Sequence, residues 1–298
     1  MNTFIILIKN MFLFKTTKIN YFLSILALLI LLSSCVTFRE SDKGVYRKFK
    51  KAGITPQIYH ENFQGKAMRY IAAKPIDNSL PTLLFVHGAP GAGENFFAYL
   101  KDEDLITKAN LITVDRLGYG YSDYGNAVTS IEKQAESIYA ITKKYRLTNL
   151  IVVSWSFGVP IAAKMTFKYP EIKHNVMVAG AVSPEDEKFF GIAKVLRWKL
   201  TKWMFSKALK VSDKEKITHI TELTKMQDDW KNIKTPITYY HGTKDRIVPY
   251  KNITFIKTNV KDSLLNVVTV KNANHFILTK HYGMVKKELL RVIENIGE

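Results

Sequence analysis

The stretch LIVVSWSFGVP, Leu150 to Pro160, decides how this chain folds. Its first four residues are apolar and three of them are β-branched, the pattern of a strand buried on both faces. Ser156-Phe157-Gly158 then reads as a tight turn. Pro160 falls in the first turn of a following helix, where the missing N–H matters least. A serine at such a strand-to-helix junction is the nucleophile of the Gly-x-Ser-x-Gly elbow. Here Ser154 stands at the first glycine position and Gly158 at the second. Ser154 adds one hydroxymethyl group where strand and helix approach, and a strand of this kind should tolerate it. Ser156 stands at the turn and Ser154 inside the strand, so the stretch is either such an elbow with one tolerated change or a strand end that contains two serines.

Outward from this junction the same pattern repeats. Apolar runs TLLFVHG (82–88), NLITVDR (110–116), NVMVAGA (175–181), PITYYHG (236–242) and LLNVVTV (264–270) read as buried strands. Two further strand candidates, QIYHENF (57–63) and AMRYIAA (67–73), flank the turn signal at Gln64-Gly65. Helical patterns alternate with them. One runs from Thr129 to Tyr145 and opens on a Thr129/Glu132 capping box; another runs from Phe157 to Tyr169 and is stopped by Pro170; a third covers Tyr282 to Ile296. Strands alternating with helices predict an α/β fold, a mostly parallel central sheet covered on both faces. No internal repeat is visible. Between NVMVAGA and PITYYHG lie more than fifty helical, basic and aromatic residues, an insertion placed where a lid would sit, about 184–232.

Ligands of an open parallel sheet bind beyond the carboxyl ends of its strands. The residues leaving those ends are His87-Gly88-Ala89-Pro90-Gly91, Asp115 to Gly120, Ser154 to Gly158, His241 to Asp245, and Asn272-Ala273-Asn274-His275. A serine, an acid and a histidine thus leave three different strands towards one edge, in the order Ser, Asp, His. With the motifs HGAPG, DRLGYGYSD, SWSFG, HGTKDRIVP and NANHF in this order, the sequence from about 56 to 298 resembles the α/β-hydrolase superfamily. The resemblance implies Ser156 as nucleophile, Asp245 as acid and His275 as base, with the backbone N–H groups of Ala89 and Phe157 forming an oxyanion hole.

Elementary chemistry agrees with that assignment. A serine hydroxyl needs a neighbouring imidazole to take its proton. A carboxylate fixes the tautomer of that imidazole and stabilises its cation. Phe157, at a helix N-terminus, has a free N–H and the favourable end of the helix dipole. His87 is expected to brace the oxyanion loop and His241 to pack at the sheet edge. Asp186 is the alternative acid. His60, His174, His219 and His281 are read as surface or packing residues.

Serine at position 156 points to acyl-enzyme chemistry on a carboxylic ester. HGAPG is close to the His-Gly-Gly-Pro-Gly of proline iminopeptidases, but Asp115-Arg116-Leu117-Gly118 departs from their Asp-Gln-Arg-Gly. A proline iminopeptidase-like or C–C bond hydrolase is the alternative enzyme, and an inactive hydrolase-fold binding protein the alternative of another class. The sequence calls for no cofactor and no metal, since no histidine pair has ligand spacing beside an acid. In KVLRWKLTKWMFSKALK (194–210), read as one helix, Leu196, Leu200, Trp203 and Met204 share a side and would close an apolar acyl pocket. Trp198, Phe205 and Leu209 share the other side and would pack within the lid or touch a bilayer.

The N-terminus reads separately. Lys15 and Lys18 precede an apolar run from Tyr21 to Leu32, then Leu32-Ser33-Ser34-Cys35. That is the order of a secretory signal, and the run is shorter than the roughly 20 residues of a comfortable span. Its end resembles a bacterial lipobox, which implies cleavage before Cys35 and acylation of it. Residues 1–34 are thus expected as signal peptide, with Met1 or Met11 as the start, and 35–55 as a basic tether to the domain at 56–298. The protein is expected at the bacterial cell envelope, held to a membrane by its lipid. Cys35 is the single cysteine, which excludes an intramolecular disulfide. A net charge of +18 suits anionic headgroups. Nucleic-acid binding is not expected, because no recognised module accompanies the charge.

Overall fold

The computed structural model describes residues 38–189 and 191–297. The proposed signal peptide and Cys35 lie outside the described residues. The chain divides into two compact units. One joins Phe38–Phe190 to Lys207–Glu298, and the other is described over Gly191–Ser206.

The larger unit is built on eight strands: β1 (Gln57–Phe63), β2 (Lys66–Ala72), β3 (Thr82–Val86), β4 (Asn110–Val114), β5 (Leu150–Trp155), β6 (Ile172–Val178), β7 (Ile237–Gly242) and β8 (Leu265–Val270). Their spatial order is β1-β2-β4-β3-β5-β6-β7-β8. The β1/β2 hairpin joins antiparallel, and from β4 to β8 every pairing is parallel. Each apolar run picked out in the sequence is thus a strand. Alternate residues of the central strands feed two cores. Leu84, Val86 and Val152 pack on one face with Ile138, Ile161 and Trp230. Leu83, Phe85, Ile151 and Val153 pack on the other with Phe96, Leu278 and Leu289.

The long helices lie near their expected bounds, at Ile131–Lys144, Gly158–Lys168 and Tyr282–Gly297. The first is capped one residue later than the sequence suggests, by Ser130 Oγ accepting from the Lys133 N–H at 3.3 Å. The expected tether is not one throughout. Asp42–Lys50 is a helix, capped by Ser41, with Val45 and Phe49 fully buried in the second core. Arg69, itself buried, ties it down by donating to Asp42 Oδ1 and to the Glu40 carbonyl, each at 2.8 Å. Two apolar residues one helical turn apart outweigh the basic residues around them.

The smaller unit also departs from expectation. Its α-helix, Ile192–Arg197, ends where Trp198 turns extended; a 3₁₀ turn follows at Lys202–Met204, and Phe205 is extended again. Thr201 Oγ1 bonds back to the Val195 and Trp198 carbonyls, a side-chain competition that disfavours a continuous helix. Residues 194–210 are therefore not one helix, and the shared face drawn for Leu196, Leu200, Trp203 and Met204 does not form. Leu200 and Trp203 are 67% and 69% exposed. Among the described residues no helix is long and apolar enough to cross a membrane.

Candidate active site

Strand β5 delivers Ser156 into a turn with φ of 55°, a left-handed conformation that costs a non-glycine residue roughly 1–3 kcal/mol. Two neighbours allow this. A Cβ on Gly158 would stand 2.5 Å from the Val86 carbonyl oxygen, so only glycine lets the Gly158–Lys168 helix come this close to β3. A Cβ on Gly88 would stand 2.9 Å from the Ser156 Cβ. Ser154, by contrast, is inside β5, fully buried and paired with Val86 and Met177, and its hydroxyl has no partner among the described residues. It does not reach the turn.

Asp245 and His275 meet beyond the ends of β7 and β8. His275 Nδ1 lies 2.7 Å from Asp245 Oδ2. The other carboxylate oxygen accepts the N–H groups of Ile247 and Val248 at 2.8 and 2.9 Å. Burial alone would raise the Asp245 pKa, but the His275 contact and these N–H groups hold it below the usual carboxylate value. Asp245 is therefore ionised, and Nδ1 carries the proton in the pair. Nε2 is left to receive one. The Trp155 indole N–H donates to the His275 carbonyl at 3.2 Å and its ring lies 5.4 Å from the imidazole, which brackets His275 against the elbow. Ser156 Oγ makes no hydrogen bond among the described residues. Asp186 sits elsewhere, bonded to Ser183 Oγ at 2.9 Å.

The N–H groups of Ala89 and Phe157 are spent on no described hydrogen bond, and Phe157 precedes the Gly158–Lys168 helix. His87 braces this loop as expected. Its Nε2 accepts the Arg116 N–H at 3.0 Å and its Nδ1 lies 2.6 Å from the Gly88 carbonyl. Burial, with the Arg116 charge beside it, pushes the His87 pKa well below the ordinary value and keeps it neutral.

The clamp behind that loop escaped the sequence. Arg116 donates from Nε to the His87 carbonyl at 2.9 Å and from Nη2 to the Gly88 carbonyl at 3.2 Å. It also pairs at 2.8 Å with Glu215, which comes from the Lys207–Lys225 helix of the insertion. Tyr119 OH and Gln134 Nε2 complete the Glu215 carboxylate. Both charged groups are fully buried. The only sequence signal was the Asp115-Arg116 pair, and nothing in it named a partner 99 residues away. His219, on the same helix, is buried and stacks on the Phe157 ring at 4.2 Å, with Nδ1 2.8 Å from Glu187. His241 does not pack at the sheet edge, because β8 lies outside β7. It is buried beside Asp245, with Nε2 3.6 Å from Oδ2. Among the described residues no three His, Cys, Asp or Glu side chains gather as a metal site would need.

A parallel sheet with a serine elbow after its fifth strand, and an acid and a histidine meeting beyond its seventh and eighth, has a known counterpart. A family model for the alpha/beta hydrolase fold matches residues 81–211, the part that carries the elbow. The chain has the α/β-hydrolase fold. The chain is also similar to 1-acylglycerol-3-phosphate O-acyltransferase of Arabidopsis thaliana, 31% identical over 121 residues, which is 38% of this chain and 28% of the plant protein. Serine hydrolase BPHL of Mus musculus is 25% identical over 237 residues, 70% of this chain and 79% of the mouse protein. The solved structure of a membrane phospholipase A, a bacterial virulence factor, superposes with a TM-score of 0.64 at 16% identity, covering 93% of this chain and 98% of that one. At that identity the hydrolase fold is what the two share.

Proposed function

We propose that this protein is a serine hydrolase that cleaves carboxylic esters through an acyl-enzyme. The observation that carries the reading is the His275–Asp245 pair, closed at 2.7 Å beside a serine held at φ 55°. Ser156 Oγ gives its proton to His275 Nε2 and attacks the ester carbonyl. The oxyanion that forms is received by the N–H groups of Ala89 and Phe157, donors placed before the charge develops; losing one donor of this kind costs about 3–4 kcal/mol. His275 then protonates the leaving alcohol, and water, activated by the same imidazole, releases the acid. Fluorophosphonate labelling tests the assignment. Ser156→Ala should lose both labelling and ester hydrolysis while remaining folded. Labelling that survives in Ser156→Ala and disappears in Ser154→Ala would overturn it.

A second reading is favoured by the likeness to the plant acyltransferase. The same acyl-enzyme can be resolved by an alcohol in place of water. Product analysis with and without 1-acylglycerol-3-phosphate as acceptor separates transfer from hydrolysis.

The setting we propose is a bacterial membrane, reached through an acylated Cys35. Lipid esters are then the nearest substrates. The Gly191–Ser206 unit supports this reading by its composition: Trp198, Leu200 and Trp203 are exposed among Lys194, Arg197, Lys199 and Lys202, with no acidic residue. Exposed tryptophans with basic neighbours suit an anionic bilayer surface.

A further inference from the structure

His241 is the buried titratable group beside the site for which the mechanism above has no use. Its imidazole closes a chain of polar contacts whose protons can be counted. Nε2 lies 3.1 Å from the Val248 carbonyl and 3.6 Å from Asp245 Oδ2. Neither a carbonyl nor an ionised carboxylate has a proton to give, so Nε2 carries one. Nδ1 lies 3.2 Å from Tyr239 OH. That hydroxyl lies 2.7 Å from the Gly180 carbonyl and has a single proton for two acceptors. The arrangement therefore favours the Nε2–H tautomer, with that N–H given to the Val248 carbonyl and standing 3.6 Å from the carboxylate oxygen His275 uses. Asp245 Oδ2 thus stands between two imidazoles, and Oδ1 is held by backbone.

We propose that His241 is a positioning residue of the catalytic acid: its Nε2–H draws on Asp245 Oδ2 in competition with His275, and so sets the pH at which His275 becomes a base. The inference rests on the reading of Ser156, His275 and Asp245 as a triad. At 3.6 Å the contact is electrostatic and not a hydrogen bond. With both side chains fully buried it is little screened. The titratable groups around His241 are Tyr239 and Tyr250, Asp245, and His275 across the carboxylate. Burial, opposed by the Val248 carbonyl and the Asp245 charge, keeps the His241 pKa below the ordinary imidazole value, so at neutral pH it acts as a dipole. Burial and the Asp245 charge hold the Tyr239 proton in place. The sign follows. Taking away the His241 N–H leaves Asp245 with more of its charge for His275, which favours the imidazolium and moves the onset of base activity to higher pH.

The test is the rate of fluorophosphonate labelling of Ser156 from pH 5 to 9, which needs no knowledge of the substrate. In His241→Phe the midpoint of the acidic limb should rise by about half a unit or more, and the plateau should fall by roughly tenfold or more as Asp245 loses its support. His241→Gln, whose amide N–H can stand where Nε2–H stood, should return the midpoint to the parent's value. Should the Phe variant fail to fold, His241→Asn, too short to replace Nε2–H, reports the same shift. A lower plateau with an unmoved midpoint in either shortened variant would reduce His241 to packing and overturn the proposal. A parent that labels and then shows that result fails this inference alone; a parent that never labels at Ser156 fails the triad reading and this inference with it.

Discussion

Replacing Glu215 by Ala should do more damage than any surface charge change in this chain. The variant leaves Arg116 fully buried with its counter-ion gone. Breaking one half of such a pair costs roughly 3–5 kcal/mol, because the surviving charge can neither reach water nor lose its proton. For a domain of this size that lowers the melting temperature by roughly 6–20 °C. The structure allows a sharper test. The triple variant Arg116→Met/Tyr119→Phe/Glu215→Leu leaves no charge and no stranded hydroxyl in this cluster, while Gln134 Nε2 keeps the Leu117 and Val128 carbonyls at 3.0 and 3.1 Å. Most of the lost stability should return. Activity should not, because the His87 and Gly88 carbonyls that Arg116 held at 2.9 and 3.2 Å are released and the Ala89 N–H beyond them loses its fixed place. A fall in kcat/KM of roughly 100-fold is expected from misplacement on the ångström scale. Thermal unfolding and hydrolysis of a water-soluble ester read the two effects separately. Glu215→Ala melting within about 3 °C of the parent, or a triple variant with parental kcat/KM, would refute the reasoning.

Three further outcomes follow from the same structure. Ser154→Ala removes a buried hydroxyl that has no partner among the described residues, so it should stabilise the protein by about 1 kcal/mol in denaturant unfolding and leave labelling at Ser156 in place; a loss above about 1 kcal/mol would mean the hydroxyl is bonded after all. His174, whose pKa burial pushes down to about 4, is neutral in the folded state and charged in the unfolded chain between that value and its ordinary 6.5. The unfolded state binds the extra proton there, so stability present above about pH 6.5 is lost as the pH falls towards 4, by up to about 3 kcal/mol; His174→Gln should flatten that slope, and an unchanged slope would assign it to other groups. Trp198→Ala/Trp203→Ala should weaken sedimentation with phosphatidylglycerol vesicles several-fold and leave phosphatidylcholine controls unaffected; equal sedimentation by parent and variant would take this segment off the membrane surface.

The sequence by itself determined the sheet and singled out the three side chains we propose as reactive. Runs such as LLFV and LIVV can only be buried on both faces, and that alone requires a parallel sheet with helices over it. Ser156, Asp245 and His275 were legible because each leaves a strand end next to a glycine or turn signal, and strand ends of a parallel sheet converge. Helix Asp42–Lys50 was legible in principle, from Val45 and Phe49 one turn apart after Ser41, but the density of basic residues masked it. What tertiary structure alone decided are the contacts between parts distant in the chain. Glu215 reaches Arg116 across 99 positions, and Trp155 reaches the His275 carbonyl across 120. No periodicity encodes such pairs, because a buried charge finds its partner through how a helix happens to lie on the sheet edge. The break after Arg197 was decided locally in space as well, by one threonine hydroxyl turning back on the backbone, a competition that a helical wheel does not register. His241 shows the same division: its place at the end of β7 is written in the sequence, but its distance from Asp245 depends on the path of the loop between them.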